Sequence, residues 1–300
     1  MAEVTAQLVK QLRERTGAGM MECRNALVEA NGNLDDGEVV LRKRGAAAAA
    51  KKATRSAKQG LVVVDIAADA KSAVIVEINC ESDFVARTDD FQSFAAAIAS
   101  HLASSKAATS EVLYAEALAS DPSVTVSDFV KSKIAKLGEN IVVARFDRLA
   151  VGEGAVASYI HPGSQLAVAI AMTTSGDAAH EEFSALGRDL AMQVAAADPR
   201  YVRREQVDAA HLAKEAEIAR DRARNEGKPD KILDKIVEGR LAKFYEEVCL
   251  TEQPFIKDNS LSVTELVKQK GGVVGGPIEV LHFVRFKVGE TQGPEEAAAE

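Results

Sequence analysis

The fold of this 300-residue chain is decided by one stretch, residues 72–102, which reads SAVIVEINCESDFVARTDDFQSFAAAIASHL. Its first part is an apolar run that predicts a buried strand, and its last part carries apolar residues at the spacing of a helix. Moved forward by 92 positions, the stretch lies on residues 164–194 without a gap, so that Phe91 matches Phe183. Such a repeat predicts two similar subdomains, each a small antiparallel sheet with helices on one face. The predicted class is α+β.

Further elements are predicted around both copies. A strand at 61–66 precedes the first copy and a strand at 155–160 precedes the second, so each copy begins with a hairpin. A helix over 127–138 and a strand over 141–149 follow the first copy, and a strand over 278–288 returns to the second sheet. The predicted core subdomains comprise residues 61–150 and 151–288.

Residues 1–45 predict a compact domain of three short helices. An apolar stripe in the first helix ends at Thr16, and a second helix starts near Met20. The third begins at Asn33, a residue type that caps helices, and has acidic residues in its first turn. It is predicted to end at Gly45, because glycine commonly follows the last residue of a helix and basic residues precede it here.

The next segment, residues 46–60, is basic and rich in alanine. Alanine and lysine favour a helix, but no large apolar residue attaches the segment to a core, so we predict a linker of weak helicity. Contact with nucleic acid is the alternative. A solvated linker is favoured because no aromatic residues are interleaved for base stacking.

Two more segments are predicted to lie outside the cores. Residues 207–248 are highly charged and broken only at 225–230, which predicts an antiparallel helical hairpin inserted in the second subdomain. The tail, residues 289–300, has nothing to bury and is predicted to be disordered. The apolar face of the second hairpin helix is predicted to consist of Ile232, Ile236, Leu241, Phe244 and Val248.

The composition is that of an ordinary globular chain, with 47% hydrophobic residues and a formal net charge of −8. No apolar run approaches the roughly 20 residues that span a bilayer, so no membrane partner is expected. The first residues lack the apolar core of a signal peptide, which predicts a cytoplasmic protein. The acidic balance argues against direct nucleic-acid binding, although residues 1–60 carry eleven basic against seven acidic residues.

Enzymatic chemistry finds no support in the motifs. Phosphate-loop, nucleophile-elbow and zinc-protease patterns are all missing from the sequence. Cys23, Cys80 and Cys249 are isolated, which predicts buried inert thiols rather than disulfides or a zinc site. The glycine pairs within 271–276 predict a turn, and His180 predicts a helix cap rather than a metal ligand. No catalytic residue, metal site or cofactor is predicted.

The residues Asp83 and Phe84 stand where a connecting loop is expected between strand and helix. Under the offset of 92, the second copy has Ser175 and Gly176 there, so the fold of the unit does not require an acid and an aromatic ring. The tetrapeptide SDFV recurs at 127–130, where helical spacing predicts a core role for the phenylalanine. For Phe84 we favour an apolar anchor that projects from the surface. A ring that folds back onto its own subdomain is the alternative.

Several longer motifs resemble the elongation factor Ts family of bacteria, in that family's order and over nearly the whole chain. The resemblance implies a ubiquitin-associated-like helical domain, a two-subdomain α+β core and a helical hairpin. It also implies a guanine-nucleotide exchange factor for the translational GTPase elongation factor Tu, which is not an enzyme. The motifs are LVKQLRERTGAGMMECRNALVEANG (8–32), VEINCESDFVARTDDF (76–91), KLGENIVVARF (136–146), YIHPGSQLAV (159–168) and TEQPFIKD (251–258).

The resemblance also implies which residues touch the partner. The segment Ser82, Asp83, Phe84 and Val85 is implied to enter the nucleotide domain of the GTPase near its magnesium and phosphate site. Ser82 stands where the family usually has threonine and keeps the hydroxyl group. With the binding of that segment, magnesium ligands would be displaced and GDP released.

Two further contacts with the GTPase are implied. Arg13, Met20 and Met21 are implied to grip the same nucleotide domain. The loop around His161 is implied to approach a different domain, although Pro162 replaces the glycine expected there. The alternative function is a translation-associated scaffold whose helical domain and basic segment bind RNA or another protein. Following GDP dissociation from elongation factor Tu separates the two functions.

Overall fold

The structure is a computed structural model that describes residues 4–290, and it begins with three helices. The Thr5 hydroxyl caps the first helix by accepting a hydrogen bond from the Leu8 N–H (3.3 Å). Asn33 caps the third, as predicted, by accepting from two backbone N–H groups. A small core around Leu12 and Leu27 joins the three. The helices are α1 (Ala6–Thr16), α2 (Met20–Glu29) and α3 (Leu34–Lys52).

The first seven residues of the basic alanine-rich segment, 46–52, belong to α3, so the prediction of a helix end at Gly45 is wrong and the predicted linker is reduced to residues 53–58. Lys52 at the end of α3 donates a hydrogen bond to the Ile134 carbonyl (3.4 Å). Ala49 is buried in the core of the next subdomain. A Cβ atom added at Gly45 would lie 3.3 Å from the Ala135 Cβ. Small residues thus attach this helix by allowing close approach, which the search for large apolar residues overlooked.

The first core subdomain is a three-stranded antiparallel sheet with helices on one face. Its elements are β1 (Gln59–Ile66), β2 (Ser72–Cys80), α4 (Asp83–Ala86), α5 (Asp89–Ser104), α6 (Ser110–Ala115), β3 (Ala117–Leu118), β4 (Asp121–Thr125), α7 (Val126–Leu137) and β5 (Ile141–Ala150). The central strand β2 pairs with β1 on one side and with β5 on the other. Val74, Val76 and Ile78 of β2 form one core with Phe91 and Phe94 of α5.

The second core subdomain repeats this plan with β7 as its central strand. Its elements are β6 (Ala155–Ile160), β7 (Leu166–Thr174), α8 (Glu181–Ala197), α9 (Ala209–Asn225), α10 (Asp230–Val248), β8 (Pro254–Phe255), β9 (Asp258–Ser262), α11 (Val263–Val274) and β10 (Ile278–Lys287). His180 caps α8 as predicted, because its Nδ1 accepts from the Glu182 N–H (3.1 Å). The first predicted turn glycines, Gly271 and Gly272, lie inside α11 instead, and Gly275 ends that helix (φ 84°).

The internal repeat is longer than the sequence analysis predicted. The helices α5 and α8 start 92 positions apart, as expected, whereas β2 and β7 start 94 positions apart. The predicted alignment without a gap is therefore wrong by two residues, because the connection between strand and helix is shorter in the second copy. Beyond them, β4, α7 and β5 recur as β9, α11 and β10 at a constant offset of 137. The offset grows by 45 because the segment with α9 and α10 is inserted in the second copy. A β-bulge also recurs. The pairing of β2 with β5 shifts register between Glu77 and Ile78, and the pairing of β10 with β7 shifts register between Val280 and His282.

The two sheets pack face to face, and the helices lie on the outer sides. Ala73 and Ile75 of β2 share a buried cluster with Ala167, Ala169 and Ala171 of β7. Both central strands are therefore buried on both faces, and their alanines allow the sheets to approach closely. The sequence analysis predicted the helix-covered face of each sheet and did not predict this sheet-to-sheet contact.

The inserted helices α9 and α10 form the predicted antiparallel hairpin. Arg240 joins them by donating to the Ala219 carbonyl (3.1 Å). The predicted apolar face is partly wrong: Leu233 and Val237 are buried, whereas Ile232 is exposed, because the helix is rotated by about one residue from the predicted phase. The prediction of a disordered tail is wrong for residues 289 and 290, because Gly289 donates its N–H to the Glu77 carboxylate (2.8 Å) and Glu290 pairs with Arg285. The rest of that tail, from residue 291 onward, lies outside the described residues. Within residues 4–290, no helix is both long and apolar enough to cross a membrane.

Candidate partner-binding site

The connection between β2 and α5 is a single helical turn rather than the expected loop. Ser82 caps α4, and its hydroxyl oxygen accepts a hydrogen bond from the Val85 N–H (3.4 Å). The Phe84 side chain is 80% exposed, the highest value among the exposed large hydrophobic residues of the described chain. The alternative in which this ring folds back onto its own subdomain is therefore wrong. We call residues 82–86 the Phe84 turn.

The other residues of the Phe84 turn attach it to the core. Val85 is half-buried and packs against the first core, and Ala86 is buried. Asp83 remains partly exposed and forms an ion pair with Arg87 (Oδ2 to guanidinium nitrogen, 2.9 Å). Phe84 is thus exposed and Asp83 is partly exposed, whereas the Ser82 hydroxyl is bonded within the chain and Val85 packs inward.

A carboxylate from the connection between α7 and β5 holds the start of this turn. One oxygen of Glu139 accepts hydrogen bonds from the N–H groups of Glu81 (3.0 Å) and Ser82 (2.9 Å). The other oxygen accepts from the Ser82 hydroxyl (2.5 Å). A second hydrogen bond joins the same two connections, because the Glu81 carboxylate accepts from the Asn140 N–H (2.6 Å). The sequence analysis quoted Glu139 within a motif and assigned it no role.

Cys80, the last residue of β2, contributes a neutral hydrogen-bond donor. Its Sγ lies 3.1 Å from the Ser82 carbonyl oxygen. Burial, together with the nearby Glu139 carboxylate, raises the pKa of this thiol to about 12. Because the thiol stays protonated at neutral pH, it donates to the carbonyl. The predicted inert role fits this geometry.

The corresponding connection of the second subdomain lies flat against its neighbours. Asp177 donates its N–H to the Val274 carbonyl (2.8 Å), and Thr174 accepts from the Gly176 N–H (3.0 Å). A Cβ added at Gly176 would lie 2.3 Å from the Val274 oxygen. At the offset of 137, Glu139 corresponds to Gly276, which packs against Gly176. The unit therefore folds without a projecting turn.

The second SDFV tetrapeptide has a different environment. The Phe129 ring is half-buried and packs on Phe94, with 5.2 Å between ring centroids. Its counterpart at the offset of 137 is Leu266, which is buried. The predicted core role is confirmed, although the ring lies at the margin of the core and Lys133 covers part of it.

The residues implied at the N-terminal helices are exposed. Arg13 lies in the last turn of α1, and Met20 and Met21 lie in the first turn of α2 with exposed fractions of 47% and 64%. A Cβ added at Gly17, between these helices, would lie 3.6 Å from the Lys136 Cε.

Lys136 connects this region to the neighbourhood of the Phe84 turn. Its ammonium group pairs with Asp90 (2.6 Å) in the first turn of α5, which directly follows α4. The hydrogen bond from Lys136 holds the pKa of Asp90 below its usual range. Lys136 therefore links the connection between α1 and α2 to the start of α5.

His161 lies on the turn between β6 and β7 and is exposed. Its Nδ1 is 3.0 Å from the Tyr159 hydroxyl. Ser164 of the same turn accepts a hydrogen bond from the Val62 N–H of β1 (2.7 Å). Val62 is three residues from Gln59, the partner of Cys80, so the Ser164 contact and the end of β2, from which the Phe84 turn leaves, are about 10 Å apart along the strand.

The Phe84 turn, the methionine pair and the His161 turn are exposed groups on three connections of the chain. Within the described part of the chain, no group of three or more His, Cys, Asp or Glu side chains is placed to hold a metal ion. The three thiols are buried. The Phe84 turn presents an exposed ring beside a partly exposed carboxylate, and further exposed side chains lie at Met20, Met21 and His161. That combination suits protein recognition.

Comparison with known proteins identifies the family. The family model described as Elongation factor TS matches residues 81–290, which is more than half of the chain. The chain belongs to the elongation factor Ts family. Membership makes it an elongation factor of protein biosynthesis, of the nucleotide-exchange kind and not a catalytic enzyme.

Individual relatives agree with this assignment. The Elongation factor Ts of Clostridium kluyveri is 47% identical to this chain and covers 96% of it and 93% of its own length. The Elongation factor Ts of Clostridium perfringens is 46% identical with the same two coverages. That of Clostridium tetani is 45% identical and covers 96% of this chain and 94% of its own length.

Proposed function

We propose that this protein binds the GDP form of elongation factor Tu in the cytoplasm and promotes the release of GDP, so that GTP can bind during polypeptide elongation. The observation that carries the proposal is the Phe84 turn, which presents an 80% exposed ring in a chain of the elongation factor Ts family. The second subdomain folds without such a turn. The ring therefore serves something other than the fold.

The proposed action of the Phe84 turn is to disturb the magnesium and phosphate site of the GTPase. Magnesium neutralises the charge of bound phosphates and bridges them to the protein. Phe84 enters as an apolar wedge that displaces groups holding the metal, and the half-exposed Asp83 accepts hydrogen bonds from partner groups that otherwise close the site. Without neutralisation the phosphates are held less tightly, and GDP leaves.

Exchange by this route follows from thermodynamic linkage. If the factor lowers the affinity of the GTPase for GDP, GDP lowers the affinity of the GTPase for the factor by the same ratio. The factor therefore binds most tightly when no nucleotide is present, and incoming GTP displaces it. No covalent bond of the factor is made or broken in this cycle.

The remaining contact residues are proposed to dock the factor. Met20 and Met21 are flexible and exposed, which suits an adaptable apolar contact, and Arg13 adds a positive charge beside them. The exposed turn at His161 is proposed to contact a second domain of the GTPase. Docking at two places would hold the Phe84 turn against the nucleotide site.

Stopped-flow fluorescence tests the proposal directly. Elongation factor Tu loaded with a fluorescent GDP is mixed with the full chain and excess unlabelled GDP, and we expect release to accelerate with factor concentration. Val273→Ala is the matched control, because Val273 is also an exposed apolar residue but lies on α11 of the other subdomain. Release that stays at its spontaneous rate at saturating factor would reject the proposed function. Retarded migration of an RNA by the same chain would then favour the scaffold.

A further inference from the structure

We propose that Glu139 is the positioning residue that holds the Phe84 turn in its projecting conformation. The role in exchange rests on the proposed function, whereas the positioning itself can be measured on the isolated chain. Glu139 does not contact the Phe84 ring. It acts on the two residues through which the chain leaves β2 and enters α4.

The contacts of Glu139 supply acceptors that neither neighbouring element provides. Glu81 follows the last residue of β2, and Ser82 is the cap residue of α4, so their N–H groups have no partner within the strand or the helix. Both donate to one carboxylate oxygen of Glu139, and the Ser82 hydroxyl donates to the other. Hydrogen bonds to an ionised carboxylate are roughly twice as strong as neutral ones.

Glu139 is itself held in place. It follows Gly138, which ends α7 in the left-handed region (φ 83°). Asn140 donates its N–H to Glu81 (2.6 Å) and its side-chain amide to the Arg55 carbonyl (2.8 Å). The carboxylate is therefore fixed before any partner binds.

The second subdomain shows what the connection does without this carboxylate. Gly276 occupies the corresponding position, and a Cβ added there would lie 2.4 Å from the Gly176 nitrogen. Backbone therefore packs directly on backbone, and the connection lies flat. In the first subdomain the Glu139 side chain stands between the two connections and keeps them apart. The second connection is also two residues shorter, because six residues separate β7 from α8 whereas eight separate β2 from α5. A projecting turn thus coincides with a longer connection and with the Glu139 carboxylate that holds its first residues.

The α4 turn depends on such support because it is only four residues long. A single helical turn is unfavourable on its own, since nucleation fixes several dihedral angles for few hydrogen bonds. Without Glu139, the competent conformation becomes one of several. The rate at saturating factor then falls with the fraction of complexes in which the turn is in place. The concentration of half-saturation changes little, because Met20, Met21 and His161 dock the factor separately.

The first test measures the turn on the isolated full chain. The sequence contains no tryptophan, so Phe84→Trp gives a single fluorescent reporter at the site. We expect the fluorescence anisotropy of this reporter to fall when Glu139→Ala is added and to be restored with Glu139→Gln. The glutamine amide can accept from both N–H groups with its oxygen and donate to the Ser82 hydroxyl with its nitrogen.

Glu265→Ala provides a matched control. The Glu265 carboxylate also accepts from a serine N–H and hydroxyl, those of Ser262 (2.9 and 2.8 Å), but it lies at the start of α11. It should lower stability comparably and leave the reporter at position 84 unchanged. Should Glu139→Ala fail to fold, Glu139→Asp keeps the charge but shortens the side chain by one methylene group, and a smaller fall in anisotropy is expected.

The second test measures GDP release with Phe84 intact. Glu139→Ala should lower the saturating rate about tenfold with a half-saturating concentration changed less than about threefold, and Glu139→Gln should restore most of the rate. Unchanged anisotropy in Glu139→Ala overturns the proposal, even if the rate falls, because Glu139 would then contact the partner itself. If the unaltered chain fails to release GDP, the proposed function is rejected, and the anisotropy still decides the positioning.

Discussion

Replacing Phe84 by alanine is expected to slow nucleotide exchange while leaving the fold almost as stable as before. The ring is 80% exposed. Only about a fifth of the ~3–5 kcal/mol lost on truncating a buried phenylalanine is therefore at stake, which is less than about 1 kcal/mol. At the centre of an interface, losing an aromatic anchor costs about 2 kcal/mol or more. That cost corresponds to a fall of about 30-fold or more in the second-order rate of exchange.

Phe129→Ala is the natural comparison, because the same tetrapeptide surrounds the residue. Its ring is half-buried and packs on Phe94. About half of the cost for a buried ring, or roughly 2 kcal/mol of unfolding free energy, should be lost. For a domain of this size the loss lowers Tm by roughly 4–8 °C. Exchange by the folded fraction should stay close to that of the unaltered chain.

The assay combines thermal melts with stopped-flow GDP release on the two variants and the unaltered chain. The reasoning requires that the two effects separate, with Phe84→Ala changing the rate and Phe129→Ala changing Tm. It would be refuted if Phe84→Ala melted as early as Phe129→Ala while its folded fraction exchanged normally. In that case Phe84 would support the fold, and its exposure in the isolated chain would have no functional meaning.

Three further predictions address other parts of the molecule. Met20→Ala combined with Met21→Ala should weaken binding to elongation factor Tu about tenfold or more. Tm should stay nearly unchanged, because both side chains are exposed. Unchanged affinity in calorimetry would assign these helices to another partner. Replacing residues 209–243 by a short Gly-Ser linker should leave a single cooperative melt, because Leu233 and Val237 are buried within the hairpin. Loss of the sheet signal in circular dichroism would contradict this prediction. Iodoacetamide at pH 8 should label the native chain slowly. Burial raises the pKa of Cys80 to about 12 and that of Cys249 to about 11, so the reactive thiolate is scarce. Rapid labelling of the native chain, measured by mass spectrometry, would show that these thiols are accessible.

The α+β class and the repeat could be predicted because they depend on local periodicity. The start of α8 follows from the start of α5 by a simple shift, since both helices need the same apolar spacing. The extension of the repeat through β10 was missed because the 45-residue insertion interrupts the alignment. After that insertion, similarity survives at positions such as Phe129 and Leu266, which preserve only size and apolarity.

The contact between the two sheets illustrates a second limit. A strand with apolar residues on both faces indicates that both faces are covered, but the sequence does not say which element covers each face. An alanine is small, so none of the alanines at 167, 169 and 171 indicates by itself that its face of the strand is buried. Their importance comes from the close approach of two sheets, which is a property of the whole fold.

The part of the candidate site that could be predicted is the part where one copy of the repeat differs from the other. Phe84 stands out because its counterpart, Gly176, shows that no ring is needed there. Glu139 was missed because its contacts join residues 57 and 58 positions apart. An acidic residue after a helix-ending glycine has no distinctive local meaning. Its role becomes visible only when both connections lie side by side.

The attachment of α3 to the core has a consequence for partner selection. A flexible tether would let the N-terminal helices search for their contact independently, at an effective concentration set by the length of the tether. Here the packing of Ala49 and the approach of Gly45 to Ala135 fix the span between Met21 and Phe84 before any encounter. The chain thus presents these two regions at one fixed separation. Under the proposed function, we expect the chain to favour GTPases whose two receiving surfaces are separated by that span, and a mismatch at one contact to weaken the other.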